Sequence, residues 1–151
     1  MTPLFKKLHY KAPATVCILN APAYLAPLWE AMVPFAEVSL SLPPEGPVAY
    51  VLAFATTLAE VEQLTAALAP RLEGDATLWF CYPKASSKRY RCNFNRDTGW
   101  AALGAAGLEP VSQVALDADW SALRFRRVGY IQKMTRGFAL TEEGKRKAGL
   151  G

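Results

Sequence analysis

Histidine is nearly absent from this sequence, and cysteine is scarce. His9 is the single histidine, and Cys17, Cys81 and Cys92 are the only thiols, with no CxxC pair among them. A structural zinc site needs four Cys or His ligands at close spacing, so no metal is expected. An odd number of widely spaced cysteines makes no disulfide framework. Free thiols in apolar segments fit a reducing compartment, and a cytoplasmic location is the expectation. Long hydrophobic runs are missing too. No stretch approaches the roughly 18 uncharged apolar residues of a spanning helix. The longest candidate, Val48 to Leu58, has the length of a strand plus a turn. The opening Met1-Thr2-Pro3-Leu4-Phe5-Lys6-Lys7 lacks the apolar run of a signal peptide. No membrane partner is expected.

What is present suits one folded unit. The chain has 151 residues, 52% hydrophobic and 20% charged, an ordinary globular mixture that builds a core without disulfides or metal. Its charge is uneven. Residues 1–75 carry four bases against seven acids, net −3, and residues 76–151 carry 13 bases against six acids, net +7. A basic half of this kind suits an anionic partner as well as a solvated surface.

The pattern along the chain alternates. Ala14 to Leu19 is a continuous apolar run, as in a strand buried on both faces, and Asn20-Ala21-Pro22 stops it. Leu25, Leu28, Trp29 and Met32 recur at helical spacing, with Pro27 delaying or bending the helix. Glu37 to Leu42 alternates like a half-buried strand, and Val48 to Phe54 is again fully apolar. Thr57 and Glu60 form a capping box before a stripe of Leu58, Val61, Leu64 and Leu68, with Pro70 and Gly74 as terminators. Ala76 to Tyr82 is a third apolar strand. A helix capped by Asp97 runs to Gly104, and Gly107 ends it. Pro110–Leu116 and Trp120–Val128 read as a hairpin around Asp117-Ala118-Asp119. Such alternation predicts an α/β fold: a three-layer Rossmann-like sandwich, with a mostly parallel sheet and a C-terminal antiparallel hairpin. Residues 1–128 are assigned to this domain, and 129–151 to a basic C-terminal tail with a weak helix opened by Thr141.

Three segments carry a resemblance: Leu78-Trp79-Phe80-Cys81-Tyr82-Pro83-Lys84, Asn95-Arg96-Asp97-Thr98-Gly99-Trp100, and Asp117 to Arg124. With Asn20-Ala21-Pro22 after the first strand, they resemble a bacterial family of small conserved proteins. That resemblance runs over most of residues 4–128 and carries no activity with it. Separately, Leu68-Ala69-Pro70-Arg71-Leu72-Glu73-Gly74 before an apolar strand is similar to the helix-to-strand turn of the S-adenosylmethionine-dependent methyltransferase fold. The closing hairpin fits that order of elements. The resemblance implies a glycine-rich cofactor loop after the first strand and an acid at the end of the second. Asn20-Ala21-Pro22-Ala23 and Ser41-Leu42-Pro43 stand at those places.

The candidate chemistry lies in residues 84–96, which hold five cations and no acid. This segment starts at the carboxyl end of a buried strand, where open α/β sheets place ligands. Lys84, Ser86, Ser87, Lys88 and Arg96, with Arg124 from the last strand and Asn20 from the first loop, form the candidate anion site. It suits a phosphate, nucleotide or carboxylate. Tyr90 and Phe94 have the character of stacking groups for nucleic-acid bases. A serine–lysine hydrolase would need a buried neutral lysine aimed at the serine. Asp117 and Asp119 suit a turn or, as a pair, a weak cation site. Cys81 and Cys92 become reactive only if nearby cations lower their pKa. The leading expectation is a cytosolic domain, non-enzymatic or of unassigned activity, with an anion-binding loop at 84–96 for a small anionic ligand. No cofactor is assigned. The alternatives are an S-adenosylmethionine-dependent methyltransferase with a degenerate cofactor loop and a nucleic-acid-binding module.

Overall fold

The computed structural model of the protein describes residues 7–8, 15–94 and 99–131. The expectations for His9, Arg96, the Asp97 cap and the tail beyond residue 131 lie outside these residues.

Six strands form one sheet: β1 (Thr15–Leu19), β2 (Glu37–Ser39), β3 (Val48–Phe54), β4 (Leu72–Pro83), β5 (Leu108–Ala115) and β6 (Trp120–Arg127). Their order is β2-β1-β3-β4-β6-β5. The pairs β1–β2, β1–β3 and β3–β4 are parallel, while β6 runs antiparallel to both β4 and β5. Only β6 is reversed, and the hairpin occupies one edge. The helices are α1 (Ala26–Glu30), α2 (Leu58–Leu68) and α3 (Ala101–Ala105).

The continuous apolar runs make sense in this sheet. Successive side chains of a strand point to opposite faces, so a central strand covered on both sides must be apolar throughout. Val51, Ala53, Leu78, Phe80, Leu123 and Phe125 face one cluster, closed by Val61 and Leu68 of α2 and Leu103 of α3. Val16, Ile18, Leu52, Phe54, Trp79 and Trp120 face the other, closed by Leu8, Met32 and the α1 side chains Leu28 and Trp29. The result is a three-layer α/β sandwich. Tyr50 Oη and Trp79 Nε1 both donate to the Leu8 carbonyl, at 2.8 and 2.9 Å. Their polar ends are thus satisfied inside the second cluster. Among the described residues no helix is long and apolar enough to cross a membrane.

Local chemistry sets the element ends, with some departures from expectation. The first helix is preceded by a 3₁₀ turn over Ala23–Leu25 and starts at Ala26, with Pro27 in its first turn. Thr57 caps α2 by accepting from the Glu60 N–H at 3.2 Å. The return bond lands one residue early: Glu60 Oε1 accepts from the Thr56 N–H at 3.0 Å. The terminator expected at Gly74 acts elsewhere. The helix ends at Leu68 through a 3₁₀ turn containing Pro70. Gly74, at φ 55°, instead bends β4, whose register jumps between Val48↔Leu72 and Tyr50↔Thr77. That bend lets Asp75 take a two-point bond from Arg126, at 3.0 and 2.7 Å. Strand β5 begins at Leu108, ahead of the expected Pro110. It tolerates Pro110 because it is an edge strand.

Gly99 guards the corner between α2, α3 and β4. Its φ is 88°, and a Cβ there would stand 2.6 Å from Phe94 Cβ and 2.9 Å from Leu58 Cδ2. Phe94 cannot retreat, because it packs edge-on against Trp100 at 5.0 Å between centroids. Trp100 in turn meets Tyr82 and Phe125 at 5.5 and 5.3 Å. Gly99→Ala combines left-handed strain with overpacking, an expected loss of roughly 2–4 kcal/mol. A lowered urea midpoint at unchanged slope checks this; an unmoved midpoint would refute the packing described for the corner.

Candidate functional site

The site grows from the place where β4 runs out of ladder. Pro83 is the last residue of β4, opposite Trp120 of β6. Lys84 follows, and its N–H donates to the Asp119 carbonyl at 2.8 Å. The chain then turns sharply, with the Ser87 N–H on the Lys84 carbonyl at 3.0 Å. It returns beside α2, where the Asn93 N–H meets the Thr56 carbonyl at 3.3 Å and Asn93 Oδ1 accepts from the Leu58 N–H at 2.9 Å. Anchored at both ends, residues 84–94 surround a cavity of about 670 Å³. Lys84, Lys88 and Arg91 line it, with Ser87, Cys92 and the rings of Tyr82, Tyr90 and Phe94. Among the described residues no carboxylate contributes to that lining.

The β5–β6 turn latches this loop. Asp117 Oδ1 accepts from the N–H groups of Asp119 and Trp120, both at 2.8 Å. Its Oδ2 accepts from Tyr24 Oη at 2.7 Å. Asp119 Oδ1 accepts from Ser87 Oγ at 2.8 Å, while Ser87 Oγ accepts from the Tyr90 N–H at 3.1 Å. Tyr90 packs on Trp120 at 5.0 Å and lies near-parallel to Tyr24 at 6.2 Å. The Arg89 guanidinium sits 4.6 Å from the Tyr24 ring centre. Its ion pair with Asp119 is long, at 3.8 Å, and the Arg89 side chain is exposed, so it adds little. The two aspartates thus build the turn. Burial alone would raise the Asp117 pKa, but the bonds from Tyr24, Asp119 and Trp120, with the nearby Lys84 charge, hold it below the usual carboxylate range. Burial and the Asp117 bond push the Tyr24 hydroxyl upward.

The candidate residues divide accordingly. Lys84, Ser87 and Lys88 come together around the cavity. Ser87 has a fixed job there: its one proton goes to Asp119 and not toward Lys84, which removes the serine–lysine arrangement. Ser86 is exposed beside the cavity and outside its lining. Asn20 ends β1 in the left-handed region, at φ 60°. It stands two strands from β4, about 10 Å away at normal strand spacing. Arg124 does not join the cavity. It pairs in register with Trp79, well before the β4 terminus, and is half-buried beside Arg126. The sequence placed Arg124 on the last strand, and only the pairing with β4 sets its position along the sheet. Sequence reasoning missed Arg91 as a cavity cation and Asn93 as the acceptor for the Leu58 N–H at the start of α2. Basic residues in a loop look alike until its fold chooses which point inward. The thiols are not activated. Burial raises Cys81 strongly, and burial also raises Cys92 despite the Phe94 N–H.

No known protein family matches the sequence, and no curated protein matches it either. Solved structures do share its shape. The N-methyltransferase NodS from Bradyrhizobium japonicum WM9 superposes with a TM-score of 0.53 at 13% identity, over 82% of this chain and 92% of that one. A putative type 11 methyltransferase from Sulfolobus solfataricus gives 0.51 at 9% identity, over 90% and 93%. The pyocyanin biosynthetic protein PhzM gives 0.51 at 11%, over 82% of this chain and 53% of its own length. The protein therefore has a Rossmann-like, methyltransferase-like fold.

The latch has a pH signature. A carboxylate whose folded pKa is lowered stabilises fully above its unfolded value and loses that contribution as pH falls through the folded one. Asp117 and Glu60 are both of this kind. Thermal stability should hold from neutral pH to about 4 and fall below it. Asp117→Asn should flatten part of that fall; an identical acid profile would show that Asp117 does not hold the turn as a carboxylate.

Proposed function

We propose that this protein binds a small anionic ligand at the carboxyl end of β4, on a methyltransferase-type scaffold. One observation carries the reading: a cavity of about 670 Å³ lined by Lys84, Lys88 and Arg91, with no acid among the described residues that line it. Among the described residues no carboxylate pairs with these three cations within 4 Å. Their charge is therefore available to a ligand, and the volume lies in the usual range for small-molecule pockets. Each charge-assisted bond to an anion contributes about 1.5–3 kcal/mol net.

The test uses pyrophosphate at low ionic strength. Lys84→Ala should leave stability within about 0.5 kcal/mol of the parent, because the side chain is not in the core. It should weaken pyrophosphate by about tenfold, equivalent to ~1.4 kcal/mol. Absence of any anion binding to the parent protein sinks the reading.

Methyl transfer from S-adenosylmethionine is the second reading, and the shared fold favours it over a domain with no activity. The residues do not fit that cofactor in its usual place. After β1, Ala21, Pro22 and Ala23 set carbon side chains where a bare backbone is needed. At the end of β2 the Ser39 hydroxyl is turned onto the Ser41 carbonyl at 2.6 Å, and no acid stands there for a ribose. Calorimetry with S-adenosylmethionine should give no micromolar affinity. Micromolar binding weakened by substitution at Asn20 would make methyl transfer the leading function.

A further inference from the structure

Resting on that anion site, we infer that its ligand is a nucleotide: a flat heteroaromatic ring carrying phosphate. Three features of the cavity converge on this chemistry. First, three cations share one space, Lys84, Lys88 and Arg91. That excess suits a group with two or more negative charges better than a single carboxylate. Second, a lone phosphate would occupy only a small part of about 670 Å³. Third, three aromatic residues, Tyr82, Tyr90 and Phe94, stand in the same lining.

These rings are held rigidly before any ligand arrives. Tyr82 and Phe94 are buried and lie 5.9 Å apart, and Trp100 braces both. Tyr90 is half-exposed and is braced by Trp120 and Tyr24. The Ser87–Asp119 bond fixes the turn that presents Tyr90 and Lys88 together. A pre-formed aromatic wall loses little conformational freedom when a planar ring docks on it. Every nucleobase offers such a plane, so stacking of this kind is tolerant of base identity.

Calorimetry at one low ionic strength with adenosine 5′-monophosphate, ribose 5-phosphate and adenosine tests this. The nucleotide should bind at least tenfold more tightly than ribose 5-phosphate, and adenosine should bind weakly. Tyr90→Leu should remove the tenfold increment and leave ribose 5-phosphate within about twofold of the parent, while Tyr90→Phe keeps the increment. Equal affinity for nucleotide and ribose 5-phosphate overturns the nucleotide assignment and leaves the anion site standing. Binding of neither overturns both. An octanucleotide that binds more tightly than the mononucleotide, with steep salt dependence, assigns the cations to a nucleic-acid strand and also overturns the inference.

Discussion

The backbone of β4 must be satisfied on both edges, and much of the structure follows from that need. Its side chains are buried on both faces over Leu78–Pro83, so water cannot reach the N–H and C=O groups between them. Parallel β3 supplies one ladder. The other comes from β6, which returns antiparallel and pairs from Leu78↔Phe125 to Pro83↔Trp120. An antiparallel partner brings its starting end to the finishing end of β4. The Asp117–Asp119 turn therefore arrives beside Lys84.

This placement joins three loops into one corner. Asp119 receives the Lys84 N–H on its carbonyl and the Ser87 hydroxyl on its carboxylate. Asp117 receives Tyr24 from the loop that follows β1. Asn93 ties the far side of the cavity to the first turn of α2. These bonds tie loop donors to fixed acceptors, so the loop is held by turn chemistry and helix capping. Among the described residues Lys84, Lys88 and Arg91 form no ion pair within 4 Å, although the Lys84 charge is near enough to Asp117 to lower its pKa. That contrast between hydrogen-bonded acids and unpaired bases gives the cavity its character.

The methyltransferase likeness is one of scaffold, at 9–13% identity for the three structures named. Shape at that distance transmits layers and strand order, while a site depends on a few side chains. Here the end of β1 carries Asn20 at φ 60° and no glycine, and the described cavity with the cations sits at the end of β4.

The sequence alone determined the layers and most element positions. Val48–Phe54 emerged as β3 with the expected bounds, and α2 began after its Thr57 cap. Unbroken apolar runs, capping pairs and the Asp-Ala-Asp turn are local signals, each set by residues adjacent in the chain. The bend at Gly74 was harder to read, because a glycine after a helix looks like a terminator until strand register shows it inside β4. The site was legible as a basic loop at a strand end and no further. Which cations face the cavity, that Ser87 spends its proton on Asp119, and that Arg124 lies away from Lys84 were decided only by the tertiary structure. Those outcomes depend on the antiparallel register of β6 against β4 and on contacts such as Ser87–Asp119, 32 residues apart. Periodicity gives the face on which a side chain lies; only the pairing of distant strands gives its neighbours.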